Sequence, residues 1–156
     1  MQTTESIVVH AAPTAVFAHV ADLDAYPAWL PLVHRAQPAA AADGDAGPAW
    51  HVELRAKVGP FARSKQLRMV RVEHIPGERV VFARGEVDGR EHAMWRLRAE
   101  LRGLADAAGR ATELTMHLFY GGSLWTGGLL ERVLDEQIRH ARAGLQAILA
   151  QTDQAE

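Results

Sequence analysis

The stretch TGGLLERVLDEQIRHARAGLQAILAQ, residues 126–151, decides the fold. Its apolar residues Leu129, Leu130, Val133, Leu134, Ile138, Ala141, Leu145, Ile148 and Leu149 fall on one side of a 3.6-residue wheel, and Gly127 and Gly128 mark its start. It is the one long helical pattern of the chain, and it follows a series of alternating, strand-like stretches. One helix with a whole sheet to cover predicts a sheet wrapped round that helix, and the space between them is where function is to be sought.

Working back from the helix, Leu114, Met116, Leu118 and Tyr120 share one phase of a strand, and so do Ala93, Trp95, Leu97, Ala99 and Leu101 in the strand before it. Residues 79–87 form a strand between the turns Pro76-Gly77 and Asp88-Gly89; the contiguous Val80, Val81 and Phe82 leave its phase open. In residues 66–74 the apolar phase switches from Leu67 and Met69 to Val70 and Val72, which predicts a bulge and a curved sheet. Trp50, Val52, Leu54, Ala56 and Val58 alternate with His51, Glu53, Arg55 and Lys57, the pattern of a half-buried antiparallel strand. Residues 33–37 pair with it across the turn-rich connection 38–48.

The chain opens with a strand over residues 6–10 and then a helix with Pro13 in its first turn, where a missing N–H costs nothing; Val16, Phe17 and Val20 share a face of that helix. Pro27 and Pro31 break the segment DLDAYPAWLP, residues 22–31, and leave a short second helix or turn at 26–30. The expected fold is α+β: a curved antiparallel sheet of about seven strands round a long closing helix, with two short helices after the first strand. Residues 1–156 are expected to form a single domain.

Composition narrows the chemistry. With 156 residues, 48% of them hydrophobic and 23% charged, the chain can bury a substantial core. A net charge of -2 gives no electrostatic reason to expect a nucleic-acid partner. The absence of cysteine excludes thiolate nucleophiles, disulfides and cysteine-ligated metals. The start, MQTTESIVVH, lacks the pattern of a signal peptide, and no stretch approaches the roughly 20 apolar residues of a membrane helix, so the simplest expectation is a cytoplasmic protein without stable membrane insertion. The abundance of Ala, Arg, Gly and Leu suggests a high-GC bacterial source. The histidines are scattered, with His51, His92 and His117 on outward phases, and neither HExxH, a phosphate loop, GxSxG nor a dinucleotide fingerprint occurs; no metal and no cofactor is expected.

Three pieces, SIVVHAAPTAVFAHVADLDAYPAWLP, MWRLRAEL with ATELTMHLFY, and GGLLERVLDEQIRHARAGLQAIL, together resemble the START-like, or SRPBCC, superfamily with its helix-grip fold. The resemblance spans essentially the whole chain, and its ending looks closest to bacterial polyketide cyclase/dehydrase-like and coenzyme Q-binding members. It implies a cavity between sheet and helix that holds an apolar ligand. It does not imply catalysis, because carriers, sensors and enzymes share this scaffold.

On the helix wheel, Gln137 and Gly144 lie within about 40° of the centre of the apolar arc, near Ala141, with Leu134 on the same arc. An inward Gln137 needs a partner, which is either backbone or water, or a ligand's polar head. Small Ala141 and Gly144 mark either unfilled volume or close helix–sheet contact. From the strands, Trp50, Leu54, Leu67, Met69, Trp95, Leu97, Met116, Leu118 and Tyr120 point inward, and those near the open end are expected to touch ligand. Tyr26, Trp29 and Phe61 sit in connections that border the entrance in the resembled family, and Trp125 in GGSLWTGG is the apolar contact of a flexible gate. For catalysis the candidates are Arg84 and Glu86, on the strand of open phase, with a solvent-side charge pair as the alternative.

The expected function is therefore binding or carriage of a hydrophobic small molecule, such as a lipid, an isoprenoid quinone or an aromatic polyketide. The alternative is a polyketide cyclase or dehydratase using acid–base catalysis in the same cavity. The ligand's identity and the oligomeric state stay open at this level.

Overall fold

The alternating strands assemble into one seven-stranded antiparallel sheet. The computed structural model describes residues 2–58, 60–105, 110–121 and 129–155. The strands are β1 (Gln2–Val9), β2 (Val33–Ala39), β3 (Ala49–Val58), β4 (Phe61–Ile75), β5 (Arg79–Arg84), β6 (Trp95–Leu104) and β7 (Ala111–Tyr120). Their order across the sheet is β1-β7-β6-β5-β4-β3-β2, a meander from β2 to β7 closed at one edge by β1. Helix α1 (Pro13–Val20) and a 3-10 helix (Leu23–Ala28) follow β1, and α2 (Leu129–Ala155) closes the chain. This is the helix-grip fold.

Local chemistry explains most boundaries. Pro13 opens α1, and Val16, Phe17 and Val20 are its buried face. Gly77, at φ +76°, supplies the left-handed residue that lets the chain turn between β4 and β5. In β3, Trp50, Val52, Leu54 and Ala56 are buried, whereas His51, Arg55 and Lys57 are exposed, as the alternation predicts. The bulge expected in β4 is present but lies beyond the apolar switch at Val70: Val70 and Arg71 keep register with Ala83 and Phe82, the shift falls between Arg71 and Glu73, and Val72 turns outward.

The structure departs from the sequence reading in three places. The strand expected at 79–87 ends at Arg84, and the next starts only at Trp95. Side-chain bonds hold the intervening segment off the sheet: Arg84 Nη1 donates to the Ala93 carbonyl, and Asp88 pairs with His92. Phe61 lies in β4 itself, paired with Val58, rather than in a connection. Nor does α2 cover the sheet alone, because Tyr26, Trp29 and Leu23 join Val133, Ala141, Leu145 and Leu149 in the same core.

The convex face is also less wet than strand alternation suggests. Arg68 points away from the core yet is only 4% exposed, because the connection between β2 and β3 folds back over it. Its guanidinium donates to both carboxylate oxygens of Asp45 (3.0 and 2.7 Å) and to the carbonyls of Ala40 and Gly85. The connection expected to be a plain hairpin is thus tied down by a bidentate ion pair.

Candidate functional site

The curvature of the sheet leaves a cavity between its concave face and α2. The cavity volume is about 80 Å³, smaller than that of sites which enclose a drug-sized ligand, and it opens to solvent at one side. β3 and β4 supply Val52, Leu54, Leu67 and Met69; β6 and β7 supply Trp95, Leu97, Met116 and Leu118. The segment around the 3-10 helix adds Leu23, Leu30, Leu32 and Val33, and α2 adds Ile138. The polar lining side chains are Thr3 and Glu5 of β1.

Register explains why these side chains converge. Residues directly opposite in an antiparallel pair share a face, so Val52 stands by Leu67, Leu97 by Leu118, Thr3 by Leu118 and Glu5 by Met116. Beyond Leu67 the same phase of β4 runs through Lys65 and Arg63 to Phe61, which is 71% exposed at the hairpin tip. Two cations therefore continue the concave face of β4 past its apolar wall.

Of the side chains singled out from sequence, Leu54, Leu67, Met69, Trp95, Leu97, Met116 and Leu118 stand on the cavity wall. Tyr26 and Trp29 do not; both are core. The Tyr26 hydroxyl donates to the Val20 carbonyl (2.9 Å), the Trp29 indole donates to the His19 carbonyl (3.0 Å), and their rings pack with centroids 4.7 Å apart. Burial pushes the Tyr26 phenol far above its usual range, so it stays protonated. Tyr120 lies beside Trp95 with ring centroids 4.5 Å apart, and is 2% exposed without lining the cavity.

On α2, Gln137 does not reach into the cavity. Its Oε1 accepts the Leu32 N–H at 2.7 Å, and its side chain borders an outer recess with His34, Lys57 and His140. Its Oε1 thus takes a backbone partner. Ala141 is 1% exposed within the core and off the cavity wall. Gly144 marks close contact rather than unfilled volume: a Cβ there would lie 3.1 Å from Trp29 Cα and 3.2 Å from its carbonyl oxygen. Trp125 and the side chain of Leu134 lie outside the described residues.

Arg84 and Glu86 are likewise not on the wall. Glu86 Oε1 accepts from the Arg68 backbone N–H (2.8 Å) and from Arg84 Nε (3.2 Å), and Arg84 Nη2 lies 3.2 Å from His92 Nδ1. These bonds pin the β5–β6 connection. Glu86, Asp88 and His92 bring potential ligand atoms within 4.8 Å of one another. The Arg84 guanidinium already bonds two of the three, and its charge opposes a cation.

The wall residues missed from sequence divide by cause. Val52 shares the phase of Leu54 and was legible there. Leu23, Leu30, Leu32 and Val33 sit in a proline-broken segment without periodicity. Thr3 and Glu5 extend the phase of Ile7 and Val9 but are polar, so an apolar search passes over them. Among the described residues Glu5 is the one wall residue with a carboxyl. Partial burial, together with a hydrogen bond and charge repulsion from Asp135, raises its pKa above the ordinary 4.5.

A family model described as polyketide cyclase / dehydrase and lipid transport matches residues 1–151. Among solved structures, a START superfamily protein from Mycobacterium smegmatis is similar at a TM-score of 0.71 and 15% identity, over 97% of this chain and 98% of that one. A protein from Thermus thermophilus has the same TM-score and identity over 97% and 99%. One from Nitrosomonas europaea has a TM-score of 0.66 at 12% identity over 100% and 97%. At such identities the likeness carries the fold alone. No curated protein matches the sequence.

Proposed function

The chain belongs to the polyketide cyclase / dehydrase and lipid transport family, and from that premise we propose that it binds or carries a hydrophobic small molecule in the cavity between sheet and α2. The observation that carries this is the cavity's lining: apart from Thr3 and Glu5, every wall side chain among the described residues is hydrophobic. Burying a ligand's apolar surface there contributes about 25 cal/mol per Å² before the cost of immobilising it. A lipid tail, an isoprenoid quinone or a fused-ring polyketide meets that requirement. No helix among the described residues is long and apolar enough to cross a membrane, which fits a protein that encloses its hydrophobic cargo.

Titration with the fluorescent probe N-phenyl-1-naphthylamine tests this. The wild type is expected to bind it with saturation, and Met116→Trp, which fills the wall, to weaken binding at least about tenfold with the fold intact. Equal binding by the two would remove the cavity as the site.

Glu5 favours cyclase or dehydratase chemistry as a second reading. It is a residue of the cavity wall whose carboxyl has its proton affinity raised by partial burial and by Asp135, the direction that favours a general acid. Under this reading, Glu5→Gln abolishes turnover of a poly-β-ketone thioester while leaving probe affinity within about twofold. Undiminished turnover in the variant would exclude Glu5 from the chemistry.

A further inference from the structure

We infer that the hairpin of β3 and β4 is a docking element for the surface of an anionic lipid bilayer, which it meets tip first. Such docking is independent of what the cavity holds. Residues 54–72 carry six cations, Arg55, Lys57, Arg63, Lys65, Arg68 and Arg71, and no acid, in a chain whose net charge is -2. Arg68 and Arg71 are neutralised by Asp45 and Asp22. The other four form no ion pair with a described residue, and they include both lysines of the chain.

Geometry sets these four apart from scattered surface charge. β5 ends at Arg84, opposite Met69, whereas β4 begins at Phe61, so the first part of β4 pairs with β3 alone and projects as a two-stranded ribbon. At its tip Phe61 is 71% exposed beside an exposed Pro60. Behind the Val58–Phe61 rung come Lys57, Arg63, Arg55 and Lys65 on successive rungs, which at ~3.3 Å per residue spreads them over about 3 to 13 Å from the tip. Strand alternation sends Arg55 and Lys57 to one face of the ribbon and Arg63 and Lys65 to the other. Arg55 and Lys57 share a recess with His34 and His140 against a single carboxylate among the described residues, Glu136, so the positive balance extends to α2.

A protein partner lying against one face would leave the cations of the other unused. A bilayer entered by the tip uses both, with the Phe61 ring among the headgroups and the cations behind it meeting lipid phosphates and carboxylates on either side. The same charges repel a second copy of the chain from the free edge of β4, which disfavours self-pairing. At the root of the ribbon Leu54 and Leu67 are cavity wall, so a docked hairpin connects the bilayer surface to the cavity.

The absence of cysteine allows a single Phe61→Cys to carry a nitrobenzoxadiazole fluorophore, with Glu78→Cys, exposed at the turn at the far end of β4, as its control. With mixed phosphatidylcholine and phosphatidylserine vesicles the label at 61 is expected to shift to the blue and brighten, and the label at 78 to stay unchanged; vesicles of phosphatidylcholine alone should move neither. Lys57→Gln, Arg63→Gln and Lys65→Gln combined should weaken co-sedimentation with the anionic vesicles at least about tenfold, since each cation near such a leaflet contributes about fivefold. Added salt should release the unmutated protein far more than this variant. The labels decide the matter even where the triple variant misfolds. Silence at position 61, an equal response at 78, or a folded triple variant that binds like the unmutated chain overturns the inference. A response to polyglutamate without one to vesicles gives the hairpin an acidic protein partner, and one that grows with protein concentration alone gives it a second copy; either result overturns the bilayer assignment. Each of these failures leaves the cavity's binding of an apolar probe untouched.

Discussion

Arg68 and Glu5 show how charge is handled on opposite faces of this sheet. On the convex face, the Arg68 guanidinium and the Ala42 backbone N–H hold the Asp45 carboxyl at a pKa of about 2, below its ordinary 3.8. A carboxyl whose pKa is depressed on folding stabilises the native state above its ordinary pKa, and this contribution is lost as pH falls toward the folded value. Acid unfolding should therefore include a step between about pH 4 and 2 that Asp45→Asn removes, read by circular dichroism against pH. Arg68→Ala should lower the melting temperature by several degrees, because the Ala40 and Gly85 carbonyls lose the guanidinium donor and the Asp45 carboxylate is left with the Ala42 N–H alone. On the cavity wall the sign is opposite. Glu5 has its pKa raised on folding, so the native state gains as pH falls through that raised pKa toward 4.5 and is weaker above it. Glu5→Gln should flatten this dependence and raise stability at pH 7 by less than about 1 kcal/mol, since both carboxyls keep contact with water. A melting-temperature profile from pH 4 to 8 reads the difference. Neither partnership was visible in the sequence, because Asp45 lies 23 residues from Arg68 and a turn-rich segment gives no sign of where it lands.

At the scale of elements, the contact between α2 and the 3-10 helix determines how closely the helix approaches. Gly144 faces the Trp29 backbone, which is fixed by the Trp29–His19 and Tyr26–Val20 bonds. Gly144→Ala gains about 1 kcal/mol of helix propensity, yet its Cβ meets backbone that has little freedom to yield. A net loss of about 1 kcal/mol in chemical denaturation is expected; a gain would show that the 3-10 helix can move. The apolar arc of α2 was legible from residues 126–151 because a 3.6-residue period survives any tertiary context. Which member of that arc meets the sheet, the 3-10 helix or the cavity was not legible. Gln137, Ala141 and Gly144 share a face yet serve a backbone N–H, the core and a helix crossing in turn. A bulge in β4 was legible from a phase switch, though not its place, whereas the early end of β5 at Arg84 was not, since side-chain bonds to Ala93 and Glu86 set it.

For the whole molecule, a cavity inside the hydrophobic core is a standing cost, and a ligand that fills it offsets that cost. A ligand present at 100 times its Kd should add about 2.7 kcal/mol to stability, which corresponds to a melting-temperature rise of roughly 5–10 °C for a chain of this size. Met116→Trp, with its affinity at least about tenfold weaker, should show no more than about half of that shift at the same ligand concentration; a full ligand-induced shift in the variant would place binding elsewhere. The sequence alone determined the order of elements, the inward phase of β3, β6 and β7, the amphipathic closing helix and the family resemblance. Each of these depends on local periodicity or on punctuation by Pro and Gly. The tertiary structure alone decided that Tyr26 and Trp29 bond backbone carbonyls in the core, that Gln137 accepts the Leu32 N–H, that Tyr120 packs on Trp95, and that Glu5 joins the wall. Those outcomes depend on which distant groups meet across the curved sheet, and partnership at a distance leaves no periodic trace in the chain.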